Sequence, residues 1–210
     1  MKKLIVEGFG TFFLVLFILL MVPAYGDPAI ALGVAFVLMA IIYSGGPISA
    51  AHYNPAVTLA FWLRGQIKTG MGLAYIIVQF LAAFLALQLA NGLHAADVGP
   101  TVFALPELSK RVVIAELIGT FLLVFVILRV ATTSSTAGNE YYGLAIGTTV
   151  GAGILALSPF SRAMFNPVVT FAFIFSSSGP SNTFWVYVLT QLVAAILAWG
   201  FYNLTAMDGD

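Results

Sequence analysis

The chain has 210 residues, of which 61% are apolar and only 8% are charged, and its formal net charge is zero. A soluble domain carries about 25% charged residues, so this composition is that of a membrane protein, and a basic surface for nucleic acid is not indicated. Because the chain has no cysteine and its two histidines lie far apart, disulfides, thiolate metal sites and cysteine nucleophiles are excluded and no metal or cofactor is predicted.

Six apolar runs are long enough to span a bilayer, which takes about 20 residues. They are predicted over residues 4–25, 29–48, 68–91, 110–131, 141–160 and 182–204. Two further apolar segments, 49–64 and 161–176, are too short to span, and each contains an Asn-Pro pair. The predicted fold class is therefore an all-α membrane protein with six transmembrane helices plus two re-entrant half-helices.

The two halves of the chain repeat each other. The segment EGFGTFFLVLF (7–17) matches ELIGTFLLVFV (116–126), PISAAHYNPAVTLAF (47–61) matches PFSRAMFNPVVTFAF (159–173), and QFLAAFLA (79–86) matches QLVAAILA (191–198). Each half contains three spans, an odd number, so the second half must enter the membrane from the opposite side. The chain is thus predicted to be a single domain, 1–210, built from inverted repeats of about 4–91 and 110–204, a plan used by many membrane transport proteins.

The distribution of basic residues between the loops predicts the orientation. With the N-terminus inside, five lysines and arginines are cytoplasmic and two are external, which favours cytoplasmic N- and C-termini in a plasma (inner) membrane. The five are Lys2, Lys3, Arg64, Lys68 and Arg129, and the two are Lys110 and Arg111.

Each Asn-Pro pair is a signal for the beginning of a helix. Asparagine is a strong N-cap residue, and proline suits the first helical position because its missing N–H costs nothing there. The ten steps from Asn54 to Arg64 cover about 15 Å of helix, half of a hydrocarbon core of about 30 Å. Two half-helices entering from opposite sides are therefore predicted to meet at the midplane, N-terminus to N-terminus.

The segments that precede the two asparagines must be non-helical backbone at membrane depth, which survives only where it is buried in protein or lines water. Their carbonyl groups are predicted to line a water-sized path. Each asparagine oxygen is expected to cap its own helix, which leaves the amide NH2 free to donate into the path. The predicted lining residues are Ala50, Ala51, His52, Tyr53, Arg162 and Met164.

The paired boxes Asn54-Pro55-Ala56 and Asn166-Pro167-Val168, the E-x-x-G-T-F that opens each half, and HYNPAVT resemble the aquaporin and aquaglyceroporin family of major intrinsic proteins. The resemblance extends over residues 4–204. It implies six tilted helices, a pore in each subunit and a homotetramer. It also implies that Asn54 and Asn166 donate to a passing water oxygen, which breaks the file of hydrogen bonds along which protons could move.

The resemblance also assigns an outer selectivity filter, and here the sequence departs from the family. Counted from the box asparagines, the four filter positions are Val34, Ile154, Ala163 and Val169. Val169 stands where the family has an arginine, and Thr170 stands where glycerol facilitators have an aspartate. With four aliphatic side chains, the filter is predicted to be wider and less polar than that of a water-selective member.

The function predicted on this basis is a passive channel for small neutral solutes and water that excludes protons and ions. The candidate solutes are glycerol, urea, ammonia and metalloid hydroxides such as boric acid. One alternative is a pore that conducts mainly water. Another is a coupled secondary transporter, which also uses inverted repeats and broken helices but needs an ion site. No enzyme constellation is found in the sequence, and the expected partners are water, small uncharged solutes and the lipid bilayer.

Several polar residues are predicted to support the re-entrant loops. Glu7 and Glu116 occupy equivalent places, and their buried carboxylates are expected to accept from loop N–H groups, with proton coupling as the alternative. His52 is expected to brace its loop as well. Arg162 could lean into the outer mouth, or it could reach lipid headgroups or a subunit contact.

A close helix crossing is predicted from small residues. Gly143, Gly147 and Gly151 repeat every four residues on the fifth span, the pattern that lets two membrane helices approach closely. Gly33 and Ala40 on the second span are their expected counterparts.

Overall fold

The computed structural model describes residues 1–21, 27–94, 108–176 and 181–206. This part of the chain forms eight α-helices and one short 3-10 turn, Ser134–Thr136. The helices are α1 (Lys2–Met21), α2 (Pro28–Ser49), α3 (Pro55–Leu63), α4 (Thr69–His94), α5 (Lys110–Thr132), α6 (Tyr142–Ser161), α7 (Pro167–Ser176) and α8 (Ser181–Leu204).

The six predicted spans correspond to the six long helices, and the two Asn-Pro segments correspond to the short helices α3 and α7. All six long helices are long and apolar enough to cross a membrane. Helix boundaries differ from the predicted ones by up to three residues, and the predicted end of the first span, 22–25, lies outside the described residues. The predicted fold class is confirmed.

Helices α2 and α6 end in the same way, at the points where the re-entrant loops begin. The residue after each helix, Ala50 or Arg162, adopts the left-handed conformation with φ of 69° or 70°. The backbone N–H of Ala50 donates to the carbonyl of Gly46, and that of Arg162 donates to the carbonyl of Ser158. This left-handed cap turns the chain sharply back into the protein.

The packing of the helices follows the inverted repeat. Helix α1 packs against α4, α5 packs against α8, and α2 packs against α6 between the two halves. Each half-helix also packs against the last long helix of the other half, α3 against α8 and α7 against α4. The two repeats are therefore interlocked, and neither half-helix is supported by its own repeat alone.

The glycine-rich face of α6 does contact α2, but the predicted counterparts on α2 are wrong. A Cβ at Gly147 would lie 2.3 Å from Cγ of Met39 and 2.7 Å from the carbonyl oxygen of Ala35. Facing residues on α2 repeat every four positions, as the glycines do, because residues four apart share a helix face. They are Ala31, Ala35, Met39 and Tyr43. Gly33 lies on another face, toward Met21.

Large apolar side chains cover the outside of the helix bundle. Phe36 and Ile77 are each 61% exposed and Leu81 is 59% exposed. Such a surface is costly in water and suited to lipid, so the chain is an integral membrane protein.

Candidate functional site

The two half-helices begin at asparagines that cap them. Asn54 Oδ1 accepts from the backbone N–H of Ala56 at 2.8 Å, and Asn166 Oδ1 accepts from that of Val168 at 3.1 Å. Both asparagines are buried, with 4% and 5% of their surface exposed. Each asparagine oxygen therefore satisfies one of the backbone donors that a helix N-terminus leaves without a partner.

The amide nitrogens of these asparagines form hydrogen bonds that connect the two repeats. Asn54 Nδ2 donates to the carbonyl oxygen of Phe165 at 3.0 Å, and Asn166 Nδ2 donates to that of Tyr53, also at 3.0 Å. Each amide that was expected to be free to donate into the path thus uses one hydrogen within the protein. Because an amide NH2 has two hydrogens, one remains on each asparagine for another acceptor. Because the amide group is planar, the hydrogen bond made by the first hydrogen fixes the direction in which the second hydrogen points.

The loops that lead to the asparagines have an unusual backbone. Three residues in each loop have positive φ values between 49° and 70°, and none of them is glycine. A left-handed conformation costs a residue with a side chain about 1–2 kcal/mol, so six such residues persist only where the surrounding structure holds them. They are Ala50, Ala51 and Tyr53 in the first loop and Arg162, Ala163 and Phe165 in the second.

The carboxylate of Glu7 holds the first loop. Its Oε1 accepts from the hydroxyl of Ser49 at 2.7 Å and from the backbone N–H of His52 at 2.9 Å. Its Oε2 accepts from the backbone N–H of Tyr53 and from Nε2 of Gln79, both at 2.9 Å. Four donors match the acceptor capacity of an ionised carboxylate, which has no hydrogen of its own to donate.

The carboxylate of Glu116 repeats this arrangement in the second loop. Its Oε1 accepts from the hydroxyl of Ser161 at 2.7 Å and from the backbone N–H of Met164 at 2.9 Å. Its Oε2 accepts from the backbone N–H of Phe165 at 2.9 Å and from Nε2 of Gln191 at 2.8 Å. All eight contacts of the two carboxylates are made by neutral donors, so both glutamates are committed to the loops they hold.

Two tyrosines complete the support, and the sequence reasoning missed them. The hydroxyl of Tyr75 donates to the carbonyl of Ser49 at 2.9 Å, and that of Tyr187 donates to the carbonyl of Ser161 at 2.8 Å. The two tyrosines are 112 residues apart, the same offset that relates the Asn-Pro boxes. A search for identical polar residues at this offset would have found them.

The structure also contains a cavity of about 640 Å³ that reaches the two asparagines. Its wall includes Thr132, the last residue of α5, and Thr133 and Asn139 from the segment between α5 and α6, none of which the sequence had singled out. Val34 and Val169, two of the predicted filter residues, are on the wall as well. Within the described ranges, the wall contains no aspartate, glutamate, lysine or arginine. The cavity is therefore lined by uncharged side chains, and both box asparagines are on its wall.

The predicted site residues divide into two groups with respect to this cavity. Those on its wall are Val34, Ala50, Ala51, His52, Tyr53, Asn54, Met164, Asn166 and Val169. Those in the described chain that are not on it are Glu7, Pro55, Ala56, Glu116, Ile154, Arg162, Ala163, Pro167 and Val168. Ile146 and Val150 of α6 are on the wall, so Ile154 lies one turn further along the same helix. The assignment of Ile154 and Ala163 to an outer filter stays a prediction.

Comparison with known proteins identifies the family of this chain. The sequence profile described as "Major intrinsic protein" matches residues 1–203. The chain belongs to the major intrinsic protein family. This is a family of channel-type membrane proteins rather than of enzymes.

Individual relatives in the major intrinsic protein family cover almost the whole chain. "Aquaporin NIP1-1" of Zea mays is 36% identical over 97% of this chain and 74% of its own length. "Glycerol uptake facilitator protein-like 6" of Lactiplantibacillus plantarum is 36% identical over 94% of this chain and 95% of its own length.

A solved structure supports the fold of this major intrinsic protein. The aquaglyceroporin from Plasmodium falciparum superposes with a TM-score of 0.83 over 97% of this chain and 96% of its own. At 21% sequence identity, the likeness concerns the fold alone.

Proposed function

We propose that this protein is a passive channel for small neutral solutes and water, and that it excludes protons and ions. The observation that carries the proposal is the uncharged cavity that reaches Asn54 and Asn166. Each of these asparagines has one amide hydrogen left for an acceptor that passes. A neutral molecule with an oxygen or nitrogen acceptor can exchange hydrogen bonds with water for hydrogen bonds with these groups.

Exclusion of cations follows from the same geometry. An ion that enters the cavity loses part of its hydration shell and meets no side chain of opposite charge on the wall of the described passage. The N-termini of α3 and α7 both point at the asparagine pair, and each helix N-terminus is equivalent to about half a positive charge. The midplane is therefore unfavourable for a cation and for a proton carried along a file of water.

Passage of solutes larger than water is supported by the residues at the outer end of the cavity. Val34 and Val169 are aliphatic, and Val169 stands where the family resemblance leads one to expect an arginine. A valine is shorter than an arginine and carries no charge, so the opening is wider and less polar. The candidate solutes are glycerol, urea, ammonia and undissociated boric acid. The named relatives include an aquaporin and a glycerol uptake facilitator-like protein, which is compatible with this range.

Two other functions remain as alternatives to be tested. A pore that conducts mainly water would use the same asparagine pair with a narrower outer end. A coupled transporter would need an ion site whose occupancy changes with conformation. Glu7 and Glu116 are unsuited to that purpose, because each accepts four hydrogen bonds from the loop and helices that it joins.

We also propose an orientation in the membrane and an oligomeric state. Both termini are cytoplasmic in a plasma (inner) membrane, the repeats 4–91 and 110–204 form a single channel domain, and four copies assemble into a homotetramer with a pore in each subunit. The basic residues of the loops favour this orientation. The family resemblance favours the tetramer.

The function can be tested by stopped-flow light scattering on proteoliposomes that contain the purified protein. Water, glycerol, urea and boric acid are compared in the same vesicles, with protein-free vesicles as the control. We expect all four fluxes to exceed the control. Fast water flux with no glycerol, urea or boric acid flux would favour the water pore instead. Uptake that depends steeply on a proton or sodium gradient would favour the coupled transporter.

A further inference from the structure

A group of polar side chains lies on the cavity wall outside the re-entrant loops. It comes from the last residue of α5 and the segment that follows. Its members are Thr132, Thr133, Thr136 and Asn139, which together are called the acceptor cluster. Three hydroxyls and an amide on a cavity wall can hold a polar ligand, and the kind of ligand depends on which of their hydrogens are already committed within the protein.

Two of the hydroxyls in the cluster donate to carbonyl groups near the end of α5. Thr132 Oγ1 donates to the carbonyl of Leu128, and Thr136 Oγ1 donates to that of Arg129, both at 2.7 Å. Because the last carbonyls of a helix have no partner within it, side chains that follow the helix commonly satisfy them. A hydroxyl has one hydrogen, so these two can offer a ligand only the acceptor positions of their oxygens.

Both amide hydrogens of Asn139 are committed as well. Nδ2 donates to the carbonyl of Val130 at 2.7 Å and to that of Thr136 at 2.6 Å. The orientation of the amide follows from these contacts, because only the nitrogen can donate to two carbonyls. In the described part of the chain, Oδ1 is enclosed and has no donor. Since an enclosed acceptor without a partner is costly, donors are scarce around the cluster.

The hydrogen of the Thr133 hydroxyl is placed by a chain of three contacts. Nη2 of Arg64 donates to the hydroxyl of Tyr202 at 3.0 Å, because a guanidinium can only donate. The Tyr202 hydroxyl lies 3.1 Å from Oγ1 of Thr133, which in turn lies 3.3 Å from the carbonyl oxygen of Leu128. A carbonyl can only accept, so Tyr202 donates to Thr133 and Thr133 donates to Leu128. Thr133 therefore keeps no hydrogen for a ligand either.

The charges around the cluster favour a neutral ligand. Nη2 of Arg64 lies 3.5 Å from the carbonyl oxygen of Thr132, and the guanidinium lies 4.9 Å from the ring centroid of Tyr202. In the described part of the chain, the hydrogen bonds and ring contact of Arg64 are all with uncharged groups, so its positive charge opposes a cation at the neighbouring oxygens. Glu140 follows the cluster in the chain, but it is exposed and not on the wall. An anion needs donors, and these four side chains have none left.

Two other polar residues on the wall are not part of the cluster. Gln66 and Tyr142 make no side-chain hydrogen bond with the described part of the chain, so each keeps a donor as well as an acceptor. They can bind any polar solute. Discrimination between solutes with and without hydrogen-bond donors is therefore assigned to the cluster.

We infer that the acceptor cluster is a binding site for neutral solutes that carry several N–H or O–H groups. The inference rests on the proposed channel function and deepens it by adding a second specificity site. Urea, glycerol and boric acid have several such hydrogens, whereas dimethyl sulfoxide has an acceptor oxygen and no donor. The box asparagines offer donors and the cluster offers acceptors, so a solute that has both kinds of group is bound at both places.

The binding site can be tested without any measurement of transport. The chain has no cysteine, so a single introduced cysteine can report on the cluster. Ala137 is on the cavity wall in the same segment, and Ser135 lies two residues earlier but not on the wall, and both are exposed. Labelling of Ala137→Cys by a small neutral maleimide is measured in lipid nanodiscs, where both membrane faces are accessible. Urea, glycerol and dimethyl sulfoxide are added at equal concentrations, and Ser135→Cys is the matched control.

The protection pattern identifies the class of ligand. We expect urea and glycerol to slow the labelling of Ala137→Cys by at least about twofold, as half-occupancy of the site would. Dimethyl sulfoxide should not slow it, and Ser135→Cys should be labelled at the same rate under all conditions. Equal protection by dimethyl sulfoxide or by added sodium chloride would overturn the inference, because the site would then not select neutral donors.

A second pair of variants tests the acceptor oxygen itself. In the Ala137→Cys chain, Thr136→Val removes the hydroxyl oxygen and should abolish protection by urea and glycerol. Thr136→Ser keeps that oxygen and should keep the protection. Full protection in the valine variant would contradict the assigned role of the cluster. Where Thr136→Val fails to fold, the comparison of Ala137→Cys with Ser135→Cys decides.

The outcomes separate this inference from the proposed function. Vesicles that pass no solute, together with a protected Ala137→Cys, would contradict the channel function and support the binding site. Vesicles that conduct urea and glycerol, together with an unprotected Ala137→Cys, would contradict the binding site alone.

Discussion

A methyl group at Gly10 would lie 2.2 Å from two ring carbons of Tyr53, so the ring of Tyr53 fills the space that any side chain at Gly10 would need. The second repeat has the same relationship, with 2.0 Å between a Cβ at Gly119 and the ring of Phe165. In both cases the aromatic residue comes directly before the box asparagine and has a positive φ. The aromatic ring anchors the strained end of each loop in the first helix of its repeat.

This relationship predicts that Gly10→Ala and Gly119→Ala destabilise the protein. Overpacking of a filled site typically costs about 1–3 kcal/mol, and here the loop that carries the asparagine must move. Thermal unfolding in detergent should show a lower midpoint for each variant. Gly92→Ala in α4 is the matched control, because nothing lies within 4 Å of a Cβ there and alanine favours a helix. Equal midpoints for Gly10→Ala and Gly92→Ala would contradict the prediction.

Replacement of either buried carboxylate is predicted to be more harmful. In Glu7→Gln, an amide NH2 takes the place of an oxygen that accepts two hydrogen bonds, so donors face donors. We expect a loss of about 3 kcal/mol or more in the free energy of unfolding, and the same for Glu116→Gln. Denaturation in detergent measures it. Glu140→Gln, at an exposed glutamate, is the control for the loss of a negative charge. If Glu140→Gln lowered the free energy of unfolding as much as Glu7→Gln does, the loop contacts would not be the cause.

Removal of the hydroxyl of either tyrosine that holds Ser49 or Ser161 is predicted to lower the stability by a smaller amount. Tyr75→Phe and Tyr187→Phe each remove one hydroxyl and leave one buried carbonyl without that donor, at a cost of about 1–2 kcal/mol. They lie in different repeats, so the double variant should show the sum of the two losses. Tyr141→Phe, at a tyrosine that is 50% exposed, should change the stability little. Wild-type stability in both single variants would refute the assigned role.

Val169→Arg tests the contribution of the aliphatic side chain of Val169 on the cavity wall. The arginine side chain is longer than that of valine and positively charged, so it should make the cavity narrower and more polar at this position. We expect glycerol flux to fall about tenfold or more and water flux to fall less than about threefold, since size discrimination affects the larger solute most. Val169→Leu adds volume without charge and serves as the control. A parallel fall of both fluxes in the arginine variant would mean that Val169 does not set solute selectivity.

Much of the architecture could be predicted because its signals are local. Six apolar runs of membrane length gave the six long helices, and two Asn-Pro pairs gave the starts of α3 and α7. The internal repeat also fixed the inverted arrangement of the halves. For the glycine face of α6, by contrast, the sequence predicted the right partner helix and the wrong partner residues, because the rotation of α2 about its own axis is set by all of its neighbours together.

The sequence by itself determined which segments cross the membrane, which stop halfway, and that asparagines cap the half-helices, because apolar length and helix capping depend on residues close in the chain. Only the tertiary structure decided which acceptor the amide nitrogen of each of these asparagines meets. The Asn54 amide meets a carbonyl 111 residues away, and the Asn166 amide meets one 113 residues away. Such contacts arise when two repeats of opposite direction interlock, and no local pattern encodes which atoms then meet.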